Sequence, residues 1–181
     1  MQKATFGGGC FWCTEAIFQR LKGVISVIPG YSGGDLQNPS YEEVSEGGTG
    51  HAEAVQIEFD PNLIPFRKLL EVFFYTHDPT TPNQQGNDMG PQYRSAIFYH
   101  SEEQKSVSEE FIQELTEEKV FDRPIVTEVV SFKNFYEADD YHKNYYERNK
   151  DAMYCSYVIG PKVHKLIEKY GKDIKDEYQE N

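Results

Sequence analysis

Hydrophobic and polar positions divide the chain into short alternating segments. Val55, Ile57 and Phe59 alternate with Gln56 and Glu58, the two-residue period of a half-buried strand. Residues 3–6 read as an earlier strand closed by Gly7-Gly8-Gly9, and the β-branched run 24–28 as another. Between them a helix is predicted from about residue 11 to 21, with Phe11, Ile17, Phe18 and Leu21 as its apolar stripe and Gly23 as its stop. Pro61 and Pro65 introduce a second helix carrying Leu69, Leu70, Phe73 and Phe74. Residues 78–92 form a long loop, too polar for core, of a length that often serves function. A strand at 93–99 follows, then a charged helix to about Lys119 opened by the capping box Ser101-Glu102-Glu103-Gln104. Residues 125–131 read as a strand, 137–149 as a polar helix, and 163–170 as a further helix whose role is packing. The order strand, helix, strand, strand, helix, strand, with an added helix and strand, predicts an α+β fold. Its expected form is a two-layer ferredoxin-like sandwich in one domain spanning 1–181, with a tail from about residue 150.

Composition narrows the partners. The 181 residues hold 18 Lys plus Arg against 30 Asp plus Glu, a formal charge of −12, which argues against nucleic acid or an anionic membrane. No apolar run approaches the roughly 18 residues of a membrane span, and Met1-Gln2-Lys3-Ala4-Thr5-Phe6 has no apolar signal core, so a cytoplasmic location is expected. Three cysteines are too few, and odd in number, for a disulfide-stapled scaffold.

The cysteines carry the strongest chemical signal. In Gly9-Cys10-Phe11-Trp12-Cys13 the first thiol sits where a strand ends in glycines and a helix begins. Unpaired N–H groups and the positive end of the helix dipole favour a thiolate there. The alternative is that both cysteines are small buried hydrophobes. Zinc would need a second ligand pair, and Cys155, His51 and His164 offer none with paired spacing, so no metal or other cofactor is expected. Glu53 shares the parity of Val55, Ile57 and Phe59, so its carboxyl should point to the apolar face and stay neutral near pH 7. A Glu53 that simply faces solvent at the strand mouth is the rival. His51, in Gly47-Gly48-Thr49-Gly50-His51, reads as a tie for the glycine loop. Spacing alone assigns no role to Tyr41, Tyr93 or Asp88, and Cys155 lies in a weakly patterned tail whose mobility would let it reach a distant partner, with an inert cysteine as the alternative.

Seven separated motifs occur in one order: Gly7-Gly8-Gly9-Cys10-Phe11-Trp12, Gly30-Tyr31-Ser32-Gly33-Gly34, Asn38-Pro39-Ser40-Tyr41, Gly50-His51-Ala52-Glu53-Ala54-Val55, His77-Asp78-Pro79, Gln85-Gly86-Asn87-Asp88 and Gln92-Tyr93-Arg94-Ser95. From about Thr5 to Tyr157 the chain thereby resembles the peptide methionine sulfoxide reductases of the A type, which act on the S epimer. The resemblance implies one catalytic domain in which Cys10 attacks the sulfoxide sulfur and Glu53 protonates its oxygen. It further implies that Tyr41 and Tyr93 hydrogen-bond that oxygen, that Phe11 and Trp12 form the S-methyl pocket, and that Asp88 organises polar groups around the substrate. A sulfenic acid on Cys10 would condense with a second thiol, and a thioredoxin-type reductant would open the disulfide. Cys155, in a Tyr-Cys context, resembles the tail resolving position. Cys13 stands where many relatives have glycine and is the rival or a relay partner. The substrates implied are oxidised proteins or free methionine sulfoxide.

Two other classes compete. A general disulfide oxidoreductase could use Cys10 and Cys13 but has no need of Glu53. A non-catalytic module would bind methionine sulfoxide without consuming reductant.

Overall fold

In the computed structural model, which describes residues 1–179, the strand periods build one six-stranded sheet. In chain order the main elements are β1 (Gln2–Gly8), α1 (Phe11–Phe18), β2 (Val24–Ser32), α2 (Tyr41–Ser45), β3 (Ala52–Phe59) and α3 (Phe66–Thr76). A small hairpin of β4 (Gln84–Gln85) and β5 (Asp88–Met89) precedes β6 (Ser95–Tyr99) and α4 (Glu102–Glu117). Then come β7 (Glu128–Ser131), β8 (Tyr136–Glu137), α5 (Tyr145–Arg148) and α6 (Gly160–Tyr170). The sheet runs β7-β6-β1-β3-β2-β8, antiparallel throughout except for the parallel β6–β7 pair. The fold is α+β, a mixed sheet with helices.

Alternation along the strands separates two faces. Ala4, Phe6, Val55, Ile57, Phe59 and Ile97 face the main core with α1 and α3, while Ala52, Ala54, Ala96 and Phe98 face a smaller cluster covered by Phe132 and Phe135. Phe6 anchors the main core, its ring 4.8 Å from that of Phe73 and 5.5 Å from that of Phe18. Glu53 has the parity of the main core and is 2% exposed, so the strand buries a carboxyl against α1.

Several elements differ from expectation. α1 ends at Phe18 rather than near Leu21, because Leu21 leaves the helix to bridge Ile174 in the C-terminal strap. The polar stretch 137–149 is not one helix. It has no apolar stripe to bury as a helix, so Tyr136–Glu137 instead pairs with β2 at the sheet edge, and Asn144 then takes a left-handed turn (φ 54°) before the four-residue α5. The loop 78–92 contributes buried polar groups after all, since Thr80, Gln85 and Gln92 are hidden. At Ser101 only half of the expected box forms: its side chain accepts from the Gln104 N–H, but Gln104 reaches back to the His100 N–H instead. Nor is the tail loose. Residues Cys155–Ile159 form a π-helical turn leading into α6, which buries Val163, Leu166 and Tyr170, and Cys155 itself is fully buried.

Arg20 secures this C-terminal packing. It is fully buried, donates to the Ala16 carbonyl at 2.6 Å, pairs with Glu147 and lies over the rings of Tyr146 and Tyr178. Arg20→Ala removes one partner of a buried ion pair and the cation over two rings, and should cost about 3 kcal/mol of stability. Denaturant unfolding checks this: an unchanged midpoint would mean that the strap holds without the guanidinium.

Candidate active site

Cys10 stands at the mouth of α1, and the glycine before it sets its position. Gly9 has φ +93°, a left-handed conformation, and a Cβ there would lie 2.6 Å from Gln85 Cγ. Gln85 cannot retreat easily, because its amide accepts from the Asp78 N–H and donates to the Asp78 carbonyl. Cys10 is the N-cap of α1 in extended conformation (φ −60°, ψ 126°), and its carbonyl accepts the Cys13 N–H at 3.1 Å. Cys13 lies one turn on, near enough that each thiol shifts the pKa of the other. All three cysteines are free and buried.

β3 brings Glu53 under the same helix start. Its Oε1 accepts the Phe11 N–H at 3.2 Å, so the carboxyl sits beside the residue following Cys10. Burial pushes its pKa up to about 8 against that amide, and the charges of Asp88 and Cys13 add to the rise. The carboxyl is therefore neutral at pH 7, as its strand parity predicts.

Burial works against the helix dipole at Cys10. Its pKa is raised by desolvation first, then by the neighbouring Cys13 thiol and the charge of Glu53, with the Trp12 N–H pulling the other way. Cys13 is the lowered thiol, through the neighbouring Cys10 thiol, the Lys162 charge and Tyr154. In the resting dithiol the first turn of α1 is too dry for its dipole to dominate at Cys10.

Aromatic side chains wall the thiol pair. A full capping box, with Ser40 Oγ accepting from the Glu43 N–H at 3.1 Å and Glu43 from the Ser40 N–H at 2.8 Å, starts α2 and delivers Tyr41. Its ring lies 6.4 Å from Phe11 and 4.5 Å from His142. Tyr93 ends a 3-10 turn (Pro91–Tyr93) rather than opening the strand, because Pro91 starts the turn. Both phenols are half-buried, and burial followed by the Glu53 charge raises their pKa values. Trp12 donates its indole N–H to His142 Nδ1 at 3.1 Å and stacks on Tyr145 with centroids 3.7 Å apart.

The β4–β5 hairpin supplies Asp88, whose Oδ2 accepts the Tyr154 hydroxyl at 2.7 Å. The same hydroxyl lies 3.8 Å from Cys13 Sγ. Cys155, next in the chain, is close enough to Cys13 for the charge of that thiol to raise its own pKa, although burial is the larger cause. Cys10, Cys13, Glu53, Phe11, Trp12, Tyr41, Tyr93 and Asp88 thus belong to one neighbourhood, with Cys155 behind it. His51 is apart, tying the glycine loop by accepting the Gly34 N–H at 3.0 Å. Sequence reading missed Tyr154, His142 and Tyr145, and only the Tyr-Cys pairing gave a hint of the first. A groove of about 870 Å³ between α3, α4 and α6 includes none of Cys10, Glu53, Tyr41 or Tyr93. Among the described residues no group of three or more His, Cys, Asp or Glu side chains could hold a metal ion.

A buried pair of thiols one helical turn apart, beside a neutral buried carboxylic acid and near an aromatic cluster, defines a thiol-dependent reductase site on an α+β fold. A family profile described as peptide methionine sulfoxide reductase matches residues 2–175. The chain is 60% identical over 170 residues to the peptide methionine sulfoxide reductase MsrA of Sulfolobus acidocaldarius, covering 94% of this chain and 96% of that one. It is also similar to reduced Mxr1 from Saccharomyces cerevisiae, with a TM-score of 0.77 and 33% identity over 85% of this chain and 88% of that one. Mxr1 in complex with Trx2 matches with a TM-score of 0.54 and 26% identity over 80% of this chain and 84% of that one. The chain belongs to the peptide methionine sulfoxide reductase family, A type, and is a peptide-methionine (S)-S-oxide reductase.

Proposed function

We propose that this domain reduces methionine S-sulfoxide, in oxidised proteins or free, through a sulfenic acid on Cys10. The observation that carries the reading is Glu53, buried, neutral at pH 7 and hydrogen-bonded to the amide next to Cys10. Sulfoxide oxygen is a poor leaving group until protonated. In the step proposed, Cys10 thiolate attacks the sulfoxide sulfur, Glu53 gives its proton to the oxygen, and Tyr41 and Tyr93 hydrogen-bond that oxygen. Oxygen passes to Cys10, leaving methionine, Cys10–SOH and Glu53 carboxylate, which regains a proton from water. Phe11 and Trp12 offer the aromatic slot that suits an S-methyl group, and Asp88, held by Tyr154, organises the polar side of the substrate.

The sulfenic acid then condenses with a thiol, releasing water and forming a disulfide. The one-turn spacing on α1, with the Cys13 N–H bonded to the Cys10 carbonyl at 3.1 Å, supports Cys13 as first partner. Cys155, buried in the π-helical turn that follows Tyr154, would take over the disulfide by exchange and pass it to a thioredoxin-type dithiol. The Mxr1–Trx2 complex supports such a reductant. Cys155 resolving directly is the second form of this scheme, in which the π-helical turn must unwind. The antiparallel order β6-β1-β3-β2 supports a ferredoxin-like sandwich as the core of a single catalytic domain over 1–181. No helix among the described residues is long and apolar enough to cross a membrane, and we place the enzyme in the cytoplasm, without nucleic-acid or membrane partners.

The test uses a peptide with mixed R and S methionine sulfoxide and excess dithiothreitol, each epimer followed chromatographically. Only the S epimer should fall. Loss of neither, with reduction of a disulfide substrate instead, would favour the oxidoreductase rival. With a thioredoxin-type reductant, Cys13→Ser should still yield one methionine per chain but leave Cys10–SOH open to sulfenic-acid trapping. Its steady-state cycling should slow by roughly 10²-fold, an effective-molarity effect. Unchanged cycling in Cys13→Ser, with loss in Cys155→Ser, would assign direct resolution to Cys155.

A further inference from the structure

Gln92 and Arg94 flank Tyr93 in the motif Gln92-Tyr93-Arg94-Ser95, and the reaction above uses neither. Gln92 is 5% exposed, and its Nε2 donates to the Ser45 carbonyl at the end of α2 at 3.2 Å. Ser45 in turn donates its hydroxyl to the Tyr41 carbonyl at 2.8 Å, so hydrogen bonds run from the residue before Tyr93 to the backbone of Tyr41. Arg94 ties the other side. Its Nη1 donates to the Pro91 carbonyl at 2.9 Å, across the 3-10 turn that Tyr93 ends, and its Nη2 donates to the Gly50 carbonyl at 3.0 Å. Gly50 belongs to the loop that leads into β3 and Glu53. The remaining arm, Nε, pairs with Glu128 on β7 at 3.2 Å. A guanidinium offers its donors in a rigid planar fork, so these acceptors are held at fixed directions from one another. The turn carrying Tyr93 is thereby pinned to the helix that starts with Tyr41 and to the loop that delivers Glu53.

We infer that Gln92 and Arg94 are positioning residues: through their hydrogen bonds to Ser45, Pro91 and Gly50 they hold Tyr93 in register with Tyr41 and Glu53 around the sulfoxide oxygen. The effect on rate rests on the function proposed above, whereas the placement of Tyr93 does not. A donor that meets charge developing in the transition state is effective only when it is held in place beforehand. With the brace cut, Tyr93 keeps its phenol but shifts relative to the acid, and the loss falls on the chemical step rather than on substrate binding.

The test follows single-turnover reduction of an S-sulfoxide peptide by wild type, Gln92→Met and Arg94→Lys, each variant also built on Tyr93→Phe, with far-UV circular dichroism as the folding control. Methionine keeps the length of Gln92 without its donor. Lysine keeps the charge facing Glu128 but, as a point charge, cannot span the Pro91 and Gly50 carbonyls. Each single variant should lower the saturating rate roughly tenfold, with the half-saturating peptide concentration within roughly twofold, as partial loss of a transition-state donor requires. On Tyr93→Phe the same substitutions should change the rate by less than roughly twofold, since residues acting through Tyr93 have no hydroxyl left to place. Losses that repeat in full on Tyr93→Phe would make the role purely structural and overturn the inference, as would a wild-type rate in either folded variant. Should Gln92→Met not fold, Arg94→Lys decides by the same comparison. A second readout needs no substrate: in protein labelled with fluorotyrosine, the fluorine resonance that Tyr93→Phe removes should shift in both variants, and an unmoved resonance overturns the inference. A chain inactive on sulfoxide, in which that resonance still shifts, would sink the reaction and leave the brace standing.

Discussion

Cys10→Ser should end sulfoxide reduction, lowering kcat by on the order of 10⁶-fold, the scale at which an enzyme loses its covalent nucleophile. Serine preserves the shape of the N-cap and the Phe11 N–H bond to Glu53, so the fold and the acid remain while the oxygen acceptor is gone. The prediction discriminates because the resting site gives the lowered thiol to Cys13 and the raised one to Cys10. If thiol acidity alone chose the nucleophile, Cys13→Ser would be the dead variant. Position argues otherwise: the Glu53 carboxyl is bonded to the amide of the residue after Cys10, and Cys13 lies a turn deeper, against Tyr154. Part of the rise at Cys10 also comes from a charge that Glu53 does not carry while it is neutral. Single-turnover methionine yield, measured side by side for Cys10→Ser and Cys13→Ser, separates the two. One methionine per chain from Cys10→Ser would remove Cys10 from the nucleophile role.

The parts of this site that sequence makes legible obey local rules. A glycine run before a helix start marks Cys10, and the parity of Val55, Ile57 and Phe59 marks Glu53 as buried. Local rules fail where partners are distant. Trp12 and His142 are 130 residues apart in sequence, and Tyr154 and Asp88 are 66 apart. Nothing in the spacing of either pair announces the bond. The stretch 137–149 failed as a helix for the same reason: its start is drawn to the sheet edge by pairing of Tyr136 and Glu137 with Tyr31 and Gly30 on β2. The dipole rule at Cys10 leaves out burial: the thiol is 9% exposed, and desolvation is the largest cause raising its pKa. The order of the core elements β1, α1, β2, β3, α3 and β6 followed from local patterning, with boundaries off by a few residues at α1, β2, β6 and β7.

Glu53→Gln should slow reduction by about 10²–10⁴-fold, the usual yield of a positioned general acid, with the fold intact. The amide fills the same volume and its oxygen can still accept the Phe11 N–H, so a structural role alone would leave the rate nearly unchanged. What the amide cannot do is release a proton to the sulfoxide oxygen as the sulfur–oxygen bond breaks. The pH profile carries the sharper signature. With its pKa raised by burial to about 8, the carboxyl is protonated, and competent as the acid, below that value. The Cys10 thiolate fraction still climbs there, because burial holds that thiol's pKa above the ordinary cysteine value. Activity should therefore climb with pH up to about 8, level off as loss of the acid offsets the gain in thiolate, and fall only above the Cys10 pKa. An ordinary surface carboxylate would have lost its proton near pH 4 and could not give a break near 8. In Glu53→Gln the residual activity should lose that break and keep climbing as the Cys10 thiol ionises. A mutant rate within twofold of wild type, or a break near 8 that survives the substitution, would assign the proton to another donor, with Tyr41 and Tyr93 the next to test.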